Sequence, residues 1–305
     1  MELKPLGNAG VMVPEVGLGV WKYSGGVEPL RRAIELGAFL IDTAEIYGTE
    51  DVVGQAIKGM RERVFLATKV SPDHLRYDDV LRAAEASLRR LETNWIDLYQ
   101  IHWPNWSVPI QETMSAMETL VDRGLVRYIG VSNFSLDQLR GAQAVMRKYP
   151  IVANQVLYNL NRREIERDVL PYCLMQQVTI IAYTPLDDGR LATRSWFPQN
   201  WRMQATPEVA VYMQRMQALE QVAAHMQKSL AQVALNWCTS RPNVIVIPKS
   251  NTLTRIEENC QASSWRLSPV QVQFLDAAFA SGLHGVTLED IAGWFGDRAA
   301  YAMQR

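Results

Sequence analysis

Residues 39–48 read Phe-Leu-Ile-Asp-Thr-Ala-Glu-Ile-Tyr-Gly, a short apolar run that ends in an acid and is followed by a tyrosine. Such a run is typical of a buried strand, so it predicts a strand with Asp42 at its carboxyl end and Tyr47 in the loop beyond. Two later apolar runs end in Lys69 and in His102. In a parallel barrel the carboxyl ends of the strands meet at one mouth, where active sites are built. We therefore expect these four side chains to lie together.

Apolar runs alternate with amphipathic helical stretches along most of the chain, which is the pattern of βα units around a parallel sheet. After an opening segment over residues 4–13, candidate strands lie at residues 14–20, 39–43, 64–69, 96–102, 126–131, 152–156, 179–183 and 244–248. Eight strands with helices between them predict an α/β protein with a closed (β/α)8 barrel, the TIM-barrel fold.

Two segments exceed what eight βα units require. One is a long loop over residues 187–207, after the seventh strand, and the other is a C-terminal extension over residues 265–305. Long ordered loops within compact domains are usually lids or binding loops. We find no linker, solenoid-type repeat or low-complexity tract, so the sequence predicts a single domain over residues 1–305.

The composition is that of an ordinary globular protein, with 48% hydrophobic residues, 21% charged residues and a net charge of −1. It gives no reason to expect nucleic acid or an anionic membrane as a partner. The three cysteines (Cys173, Cys238 and Cys260) are too few and too scattered for a disulfide framework or a zinc site. No apolar stretch approaches the ~20 residues that span a bilayer, and no signal-peptide pattern is present. We expect a soluble cytoplasmic protein that holds no metal.

The four residues at the strand ends suit the transfer of a proton to oxygen. A phenol has a pKa of about 10, and Lys69 beside Tyr47 would stabilise the phenolate. Asp42 would keep the lysine charged, and a neutral His102 could donate a hydrogen bond to a carbonyl oxygen. This set suits carbonyl reduction by hydride. Each residue alone also has an ordinary structural explanation, so their arrival at adjacent strand ends is what favours catalysis.

Side chains cannot supply a hydride, so such a reaction needs a cofactor. No Gly-x-Gly-x-x-Gly follows any strand, and the sequence gives no evidence of a Rossmann unit. The eighth strand instead ends in Lys249 and Ser250, and Arg255 follows in a helix predicted to begin near Asn251. Helix N-terminal amides with these side chains would suit a dianionic phosphate. A capped helix with a surface arginine is the alternative explanation.

The sequence resembles the aldo-keto reductase superfamily in an ordered set of motifs. The matching segments are Asp-Thr-Ala-Glu-Ile-Tyr-Gly at 42–48, Ala-Thr-Lys at 67–69, Gln-Ile-His-Trp-Pro at 100–104, Ile-Gly-Val-Ser-Asn-Phe at 129–134, Asn-Gln at 154–155, Ala-Tyr-Thr-Pro-Leu at 182–186, Ile-Pro-Lys-Ser at 247–250 and Arg-Ile-Glu-Glu-Asn at 255–259. The resemblance implies a (β/α)8 barrel that binds NADPH and reversibly reduces aldehyde or ketone carbonyls to alcohols.

The resemblance also implies a role for each matching position. Tyr47 would be the proton donor, tuned and oriented by Asp42, Lys69 and His102. The implied cofactor contacts are Ser132, Asn133 and Gln155 at the nicotinamide carboxamide, Tyr183 on its ring, Gly189 in the pyrophosphate cradle, Lys249, Ser250 and Arg255 at the 2′-phosphate, and Glu258 and Asn259 at the adenine. The substrate pocket would be lined by Trp21 and Trp103, and Trp201, Trp294 and Phe295 could form an apolar lid that favours aromatic or aliphatic aldehydes.

One segment departs from the family pattern. Where the family usually has Gly-x-Gly, this chain has Asp187-Asp188-Gly189-Arg190, and two acids would repel a pyrophosphate unless Arg190 or Arg194 compensates. Two other functions also stay open from the sequence. One is a cofactor-free lyase in which Lys69 forms a Schiff base, and the other is a nucleotide-sensing module without turnover.

Overall fold

A computed structural model describes residues 1–193 and 207–280. Its strands are Leu3–Pro5 (β1), Met12–Pro14 (β2), Leu18–Gly19 (β3), Leu40–Asp42 (β4), Phe65–Val70 (β5), Ile96–Ile101 (β6), Val126–Ser132 (β7), Ile151–Leu157 (β8), Thr179–Tyr183 (β9) and Val244–Val246 (β10). Its helices are Val27–Glu35 (α1), Glu50–Ile57 (α2), Tyr77–Arg90 (α3), Ile110–Asp122 (α4), Leu136–Val145 (α5), Val169–Met175 (α6), Pro207–Met226 (α7), Leu230–Thr239 (α8), Leu253–Cys260 (α9) and Pro269–Ala280 (α10).

Strands β3 to β10 form one eight-stranded sheet in chain order, and every neighbouring pair is parallel. The first and last strands also meet, because Val16 bridges Val246 and the Gly17 amide donates to the Val246 carbonyl over 2.8 Å. The sheet therefore closes into the predicted (β/α)8 barrel. All eight candidate strands are confirmed, but the first is shorter than predicted, since residue 16 contacts β10 through an isolated bridge rather than a continuous ladder.

The lumen of the barrel is filled with apolar side chains. The β1–β2 hairpin packs against its amino-terminal end, where the Gly7 amide donates to Thr179 Oγ1 at the start of β9 over 2.7 Å. The lumen cluster comprises Leu6, Val13, Leu40, Phe65, Ala67, Leu98, Val152, Ala153, Ile181, Ile245 and Ile247. With hairpin residues packed into this cluster, the polar strand ends are collected at the opposite, carboxyl end.

Local sequence determines where the connections at that end are short. Ser135 and Gln138 form the predicted capping box, with Ser135 Oγ accepting from the Gln138 amide and Gln138 Oε1 accepting from the Ser135 amide. Helix α5 therefore begins directly after β7, and only residues 133–135 separate the two elements. This connection holds Asn133 against the strand end.

The two segments in excess of the barrel are described in part. The loop after β9 starts with a short 3-10 turn over Asp187–Gly189, and the extension contains α10. Arg194, Trp201, Trp294 and Phe295 lie outside the described residues. Across residues 1–193 and 207–280, no helix combines the length and the apolar character that crossing a bilayer requires. That residues 1–305 form a single domain stays a prediction.

Candidate active site

Four of the predicted residues come together at the carboxyl ends of β4, β5 and β6. Asp42 is the last residue of β4, Lys69 is the next-to-last residue of β5, and His102 directly follows β6. Tyr47 ends a 3-10 turn over Glu45–Tyr47 that follows β4. Parallel strands carry their ends to one face of the barrel, so residues up to 60 positions apart meet there, as expected from the sequence.

Lys69 and Asp42 form a buried ion pair beneath this mouth. The Lys69 ammonium donates to Asp42 Oδ1 over 2.5 Å and to the Thr43 carbonyl over 2.7 Å, and the two charged side chains are 0% and 3% exposed. Burial lowers the pKa of Lys69, and the attraction of Asp42 opposes that shift. The two charges can stay buried because they pair with each other and because each makes further hydrogen bonds.

Tyr47 lies above this pair and beside the histidine. The Lys69 ammonium is 4.9 Å from the centroid of the Tyr47 ring, and the Tyr47 hydroxyl is 3.4 Å from His102 Nε2. Burial raises the pKa of the Tyr47 phenol, and the Asp42 carboxylate raises it further. Desolvation and the Asp42 carboxylate therefore hold the phenol in its protonated form in this state. That Lys69 eases release of the proton stays a prediction.

His102 is held in its neutral form. Burial lowers its pKa to about 4, and the nearby charge of Lys69 contributes to the shift. Its Nδ1 atom is buried and has no hydrogen-bond partner among the residues that the structure describes. Its Nε2 faces the Tyr47 hydroxyl, so the imidazole can act there as a neutral hydrogen-bond partner.

Amide side chains extend the polar cluster across the mouth. Gln155 Nε2 donates to Asp42 Oδ2 over 2.8 Å, and Gln100 Nε2 donates to the same oxygen over 3.1 Å. The sequence analysis missed Gln100 as a site residue. Its signal was available, since strand side chains alternate and Gln100, near the end of β6, precedes His102 by two positions. The Asp42 carboxylate is thereby hydrogen-bonded through both of its oxygens.

A second polar group lies at the ends of β7 and β9. Ser132 Oγ donates to the Gln155 carbonyl over 2.9 Å, and Asn133 Nδ2 donates to the His102 carbonyl over 3.1 Å. The Tyr183 hydroxyl donates to Asn133 Oδ1 over 2.8 Å. Ser132, Asn133, Gln155 and Tyr183 are thus brought together next to His102, as their shared strand ends predict.

The predicted phosphate segment follows β10. Lys249 is exposed, Ser250 is buried, and Arg255 is exposed in the first turn of α9, which begins at Leu253, two residues after the predicted Asn251. Partial burial lowers the pKa of Lys249. Ser250 Oγ accepts from the Thr252 amide over 3.2 Å. Two cations at the start of a helix form an electropositive end suited to an anion.

Glu258 and Asn259 lie in the last turn of α9, farther from β10. Glu258 is half-buried and its backbone carbonyl accepts from Gln232 Nε2 over 3.2 Å, whereas Asn259 is buried. Both therefore sit on the same helix as Arg255, one turn beyond it. The structure brings these two residues next to the cation-bearing segment rather than to the four residues at the mouth.

The segment after β9 that departs from the family pattern carries two acids, and the fold neutralises one of them in part. Asp187 is buried, accepts from Asn161 Nδ2 over 3.1 Å, and has Arg190 Nη1 at 3.7 Å from its Oδ2. Asp188 is exposed, and Asp187, Asp188 and Gly189 all have positive φ angles, of 49°, 54° and 90°. Arg190 thus compensates Asp187, whereas Arg194 lies outside the described residues.

Two tryptophans flank the mouth. Trp21 follows β3 and Trp103 follows β6, and they are 50% and 48% exposed. Large apolar side chains so exposed at the open end of a barrel can line a site for a molecule with apolar surface. In the described part of the chain, no three His, Cys, Asp or Glu side chains are grouped as metal ligands.

Comparisons with known proteins agree with this arrangement. The model of the Aldo/keto reductase family matches residues 15–280. Methylglyoxal reductase YeaE of Escherichia coli (strain K12) is 38% identical over 281 residues, which cover 88% of this chain and 92% of that protein. The chain belongs to the aldo/keto reductase family and is an oxidoreductase.

Solved structures of the same family are similar over nearly the whole chain. The thermostable aldo-keto reductase Tm1743, in complex with the inhibitor epalrestat, has 39% identity and a TM-score of 0.80, covering 91% of this chain and 100% of that chain. An aldo-keto reductase from Klebsiella pneumoniae, in complex with NADP and acetate, has 33% identity and a TM-score of 0.78, covering 93% of this chain and 98% of that chain.

Proposed function

We propose that this protein reduces aldehyde or ketone carbonyls to alcohols with NADPH, and that Tyr47 donates the proton. The observation that carries the proposal is the Tyr47 hydroxyl, 3.4 Å from a neutral His102 and above the buried pair of Lys69 and Asp42. Bound NADPH would supply the hydride that side chains cannot provide. Family membership supports the reaction class, and the roles of the individual residues are our proposal.

The raised pKa of Tyr47 suits an acid that acts late. The phenol stays protonated at neutral pH and gives up its proton only as a bound carbonyl oxygen becomes a far stronger base. The phenolate left behind would be stabilised by the Lys69 ammonium, which lies 4.9 Å from the ring centroid. By stabilising the phenolate, Lys69 would lower the free energy of the product side of the transfer and so ease release of the proton.

His102 would orient the carbonyl. In its neutral form it can carry a proton on Nε2 and donate it, as a hydrogen bond, to the oxygen that also receives the Tyr47 proton. A protonated imidazole would compete as an acid and would repel Lys69, so the lowered pKa of about 4 keeps the two roles separate. Asp42 would contribute by holding Lys69 in place through the 2.5 Å contact.

The residues around the mouth fit a nicotinamide dinucleotide. Ser132, Asn133 and Gln155 offer donors and acceptors for a carboxamide, and Tyr183 is a half-buried aromatic at a strand end. Lys249, Ser250 and Arg255 would hold the 2′-phosphate. Neither cation forms an ion pair within the described residues, so their charges remain available to an anion. Glu258 and Asn259 at the adenine, and Gly189 at the pyrophosphate, complete the proposed set.

We infer small aldehydes with apolar surface as the substrate class. Trp21 and Trp103 provide exposed aromatic surface at the mouth, and the relative from Escherichia coli is named a methylglyoxal reductase. The Schiff-base alternative is opposed by the geometry, since the Lys69 ammonium is fully buried and donates to both Asp42 and the Thr43 carbonyl. A lysine held in this way is protonated and is not free to attack a carbonyl.

The test is NADPH consumption with aromatic aldehydes, short aldehydes including methylglyoxal, aldoses and ketones, with Tyr47→Phe measured in parallel. We expect consumption by the wild type and its loss in the variant, while NADPH binding, measured by fluorescence titration, is nearly unchanged. Equal turnover by Tyr47→Phe would refute the assignment of the acid. Tight NADPH binding without consumption of any carbonyl would favour the nucleotide-sensing alternative.

A further inference from the structure

Glu45, two residues before Tyr47, makes a pair of hydrogen bonds that the proposed chemistry does not use. Its Oε2 accepts from the Ser71 amide over 2.8 Å, and its Oε1 lies 2.6 Å from His74 Nδ1. The Glu45 side chain is 14% exposed, whereas that of His74 is 48% exposed. The carboxylate therefore sits beneath the surface and reaches from the turn of Tyr47 to the segment that follows β5.

The segment that Glu45 contacts forms a turn and directly follows β5, the strand that carries Lys69. The His74 amide donates to the Ser71 carbonyl over 3.0 Å, which closes a turn and presents both contacts to one carboxylate. Ser71 is buried and directly follows Val70, whose carbonyl accepts from the His102 amide over 3.1 Å. Glu45 is thus linked to the backbone that carries Lys69 and His102.

The turn that carries Tyr47 has local constraints before and after it. The Tyr47 amide donates to the Ala44 carbonyl over 3.0 Å, and Gly48 leaves the turn in a left-handed conformation with a φ of 66°. Between these points Ile46 is 58% exposed. The side chain of Glu45 joins the turn to the segment that follows β5.

We propose that Glu45 is a positioning residue that fixes the Tyr47 hydroxyl relative to Lys69 and His102. The inference rests on the proposed role of Tyr47 as the acid. The 3.4 Å separation between the Tyr47 hydroxyl and His102 Nε2 is already long for a hydrogen bond. A small displacement of the turn therefore carries the phenol out of reach, and a misplacement of about 1 Å can cost about 100-fold in rate.

The test compares Glu45→Ala with the conservative Glu45→Gln and with a matched control, Glu112→Ala. Glu112 makes the same kinds of contact with the start of α3 rather than from the turn of Tyr47, accepting from the Tyr77 amide over 3.0 Å and from Arg76 Nη1 over 3.1 Å. For Glu45→Ala we expect kcat to fall by about 10- to 100-fold, with a larger solvent deuterium isotope effect on kcat.

The other readouts separate positioning from simple loss of stability. The aldehyde KM and the NADPH dissociation constant of Glu45→Ala should stay within about 3-fold of the wild type, because the ground-state contacts are kept. Glu45→Gln should recover most of kcat, since its amide oxygen can still accept from the Ser71 amide. Glu112→Ala should match Glu45→Ala in thermal unfolding and keep the wild-type kcat.

Two results would overturn the proposal while leaving the reductase function intact. One is an active wild type with an equally active Glu45→Ala, and the other is an equal loss of kcat in Glu112→Ala and Glu45→Ala. A wild type that binds NADPH but consumes none with any carbonyl would instead contradict the proposed function itself.

Discussion

The barrel has a buried or partly buried lysine near each of its two ends, and the two ammonium groups donate hydrogen bonds to different kinds of acceptor. At the carboxyl end, Lys69 is fully buried and donates to the Asp42 carboxylate and to the Thr43 carbonyl. At the amino-terminal end, Lys4 of β1 is partly buried and donates to three backbone carbonyls, those of Thr239, Arg241 and Val244. Burial lowers the pKa of both lysines, that of Lys4 to about 8.

The difference shows that burial of a lysine does not by itself indicate chemistry. Lys4 joins the first strand to the connection between α8 and β10, and its acceptors are peptide carbonyls that exchange no proton. Lys69 instead lies close to a phenol and a neutral imidazole, groups that can give or share a proton. We therefore expect substitutions at the carboxyl end to change turnover and those at the amino-terminal end to change stability alone.

The largest effect is expected for Lys69→Met. The change leaves the Asp42 carboxylate buried without its cation, which costs about 3–5 kcal/mol of unfolding free energy, and turnover is lost as well. Urea unfolding at pH 7 measures the first effect and NADPH consumption the second. The double variant Lys69→Met with Asp42→Asn removes both charges and should regain much of the stability but none of the turnover. Wild-type stability of the single variant would contradict this account of the pair.

Lys4→Met tests the other end of the comparison. Three carbonyls lose a donor, so we expect a decrease of about 1–3 kcal/mol in unfolding free energy. Well below the unfolding transition, kcat per folded molecule should equal that of the wild type. A fall in kcat with an unchanged unfolding curve would show that the two ends are not functionally separate.

Arg255→Ala separates binding from chemistry within the carboxyl end. The proposed contact with a phosphate is charge-assisted, so its loss should weaken NADPH binding by about 10-fold. NADH lacks the 2′-phosphate and serves as the internal control, with an unchanged dissociation constant expected. An equal loss for both dinucleotides, measured by fluorescence titration, would argue against a 2′-phosphate site at this residue.

The last comparison is a pH dependence of stability, which has a different range for each end. His102 has a pKa of about 4 in the folded state against an ordinary 6.5, so the unfolded chain binds its proton first as the pH falls. The stability that this group contributes is present above pH 6.5 and is lost as the pH falls towards 4. In His102→Gln that part of the acid-range loss should disappear, as measured by urea unfolding at each pH.

Lys4 reports the alkaline range. Its pKa is about 8 in the folded state, against 10.5 for an ordinary lysine. Above pH 8 the folded chain therefore releases a proton that the unfolded chain keeps. The free energy of unfolding therefore increases, and the folded state becomes more stable, as the pH rises from about 8 to 10.5. The wild type should gain stability relative to Lys4→Met over that range, and parallel curves would contradict the assignment.

Much of the fold was predictable from the sequence because its signals are local. Each barrel strand is an apolar run, and the capping box at Ser135 fixes where α5 begins. The four residues at the mouth were predictable for a related reason, since strand ends in a parallel barrel share one face. The chemistry of these positions follows from topology rather than from any single motif.

What the sequence did not reveal depends on contacts between distant segments. Lys4 finds its carbonyl acceptors 235–240 residues later in the chain, and no periodicity indicates them. The direction of the pKa shift of Tyr47 depends on desolvation and on the Asp42 carboxylate, and both are set by the packing of the folded chain. Glu45 and His74 looked unremarkable for the same reason, because their relation exists only after β5 has paired with β4.

The measurement that tests the comparison most directly is kcat and unfolding free energy for Tyr47→Phe and Lys4→Met side by side. The account predicts that Tyr47→Phe loses about 100- to 10,000-fold in kcat and keeps nearly the wild-type unfolding free energy. For Lys4→Met we expect the wild-type kcat and an unfolding free energy that is lower by about 1–3 kcal/mol. A Tyr47→Phe protein that retains wild-type kcat would contradict the claim that the carboxyl end supplies its proton through this tyrosine.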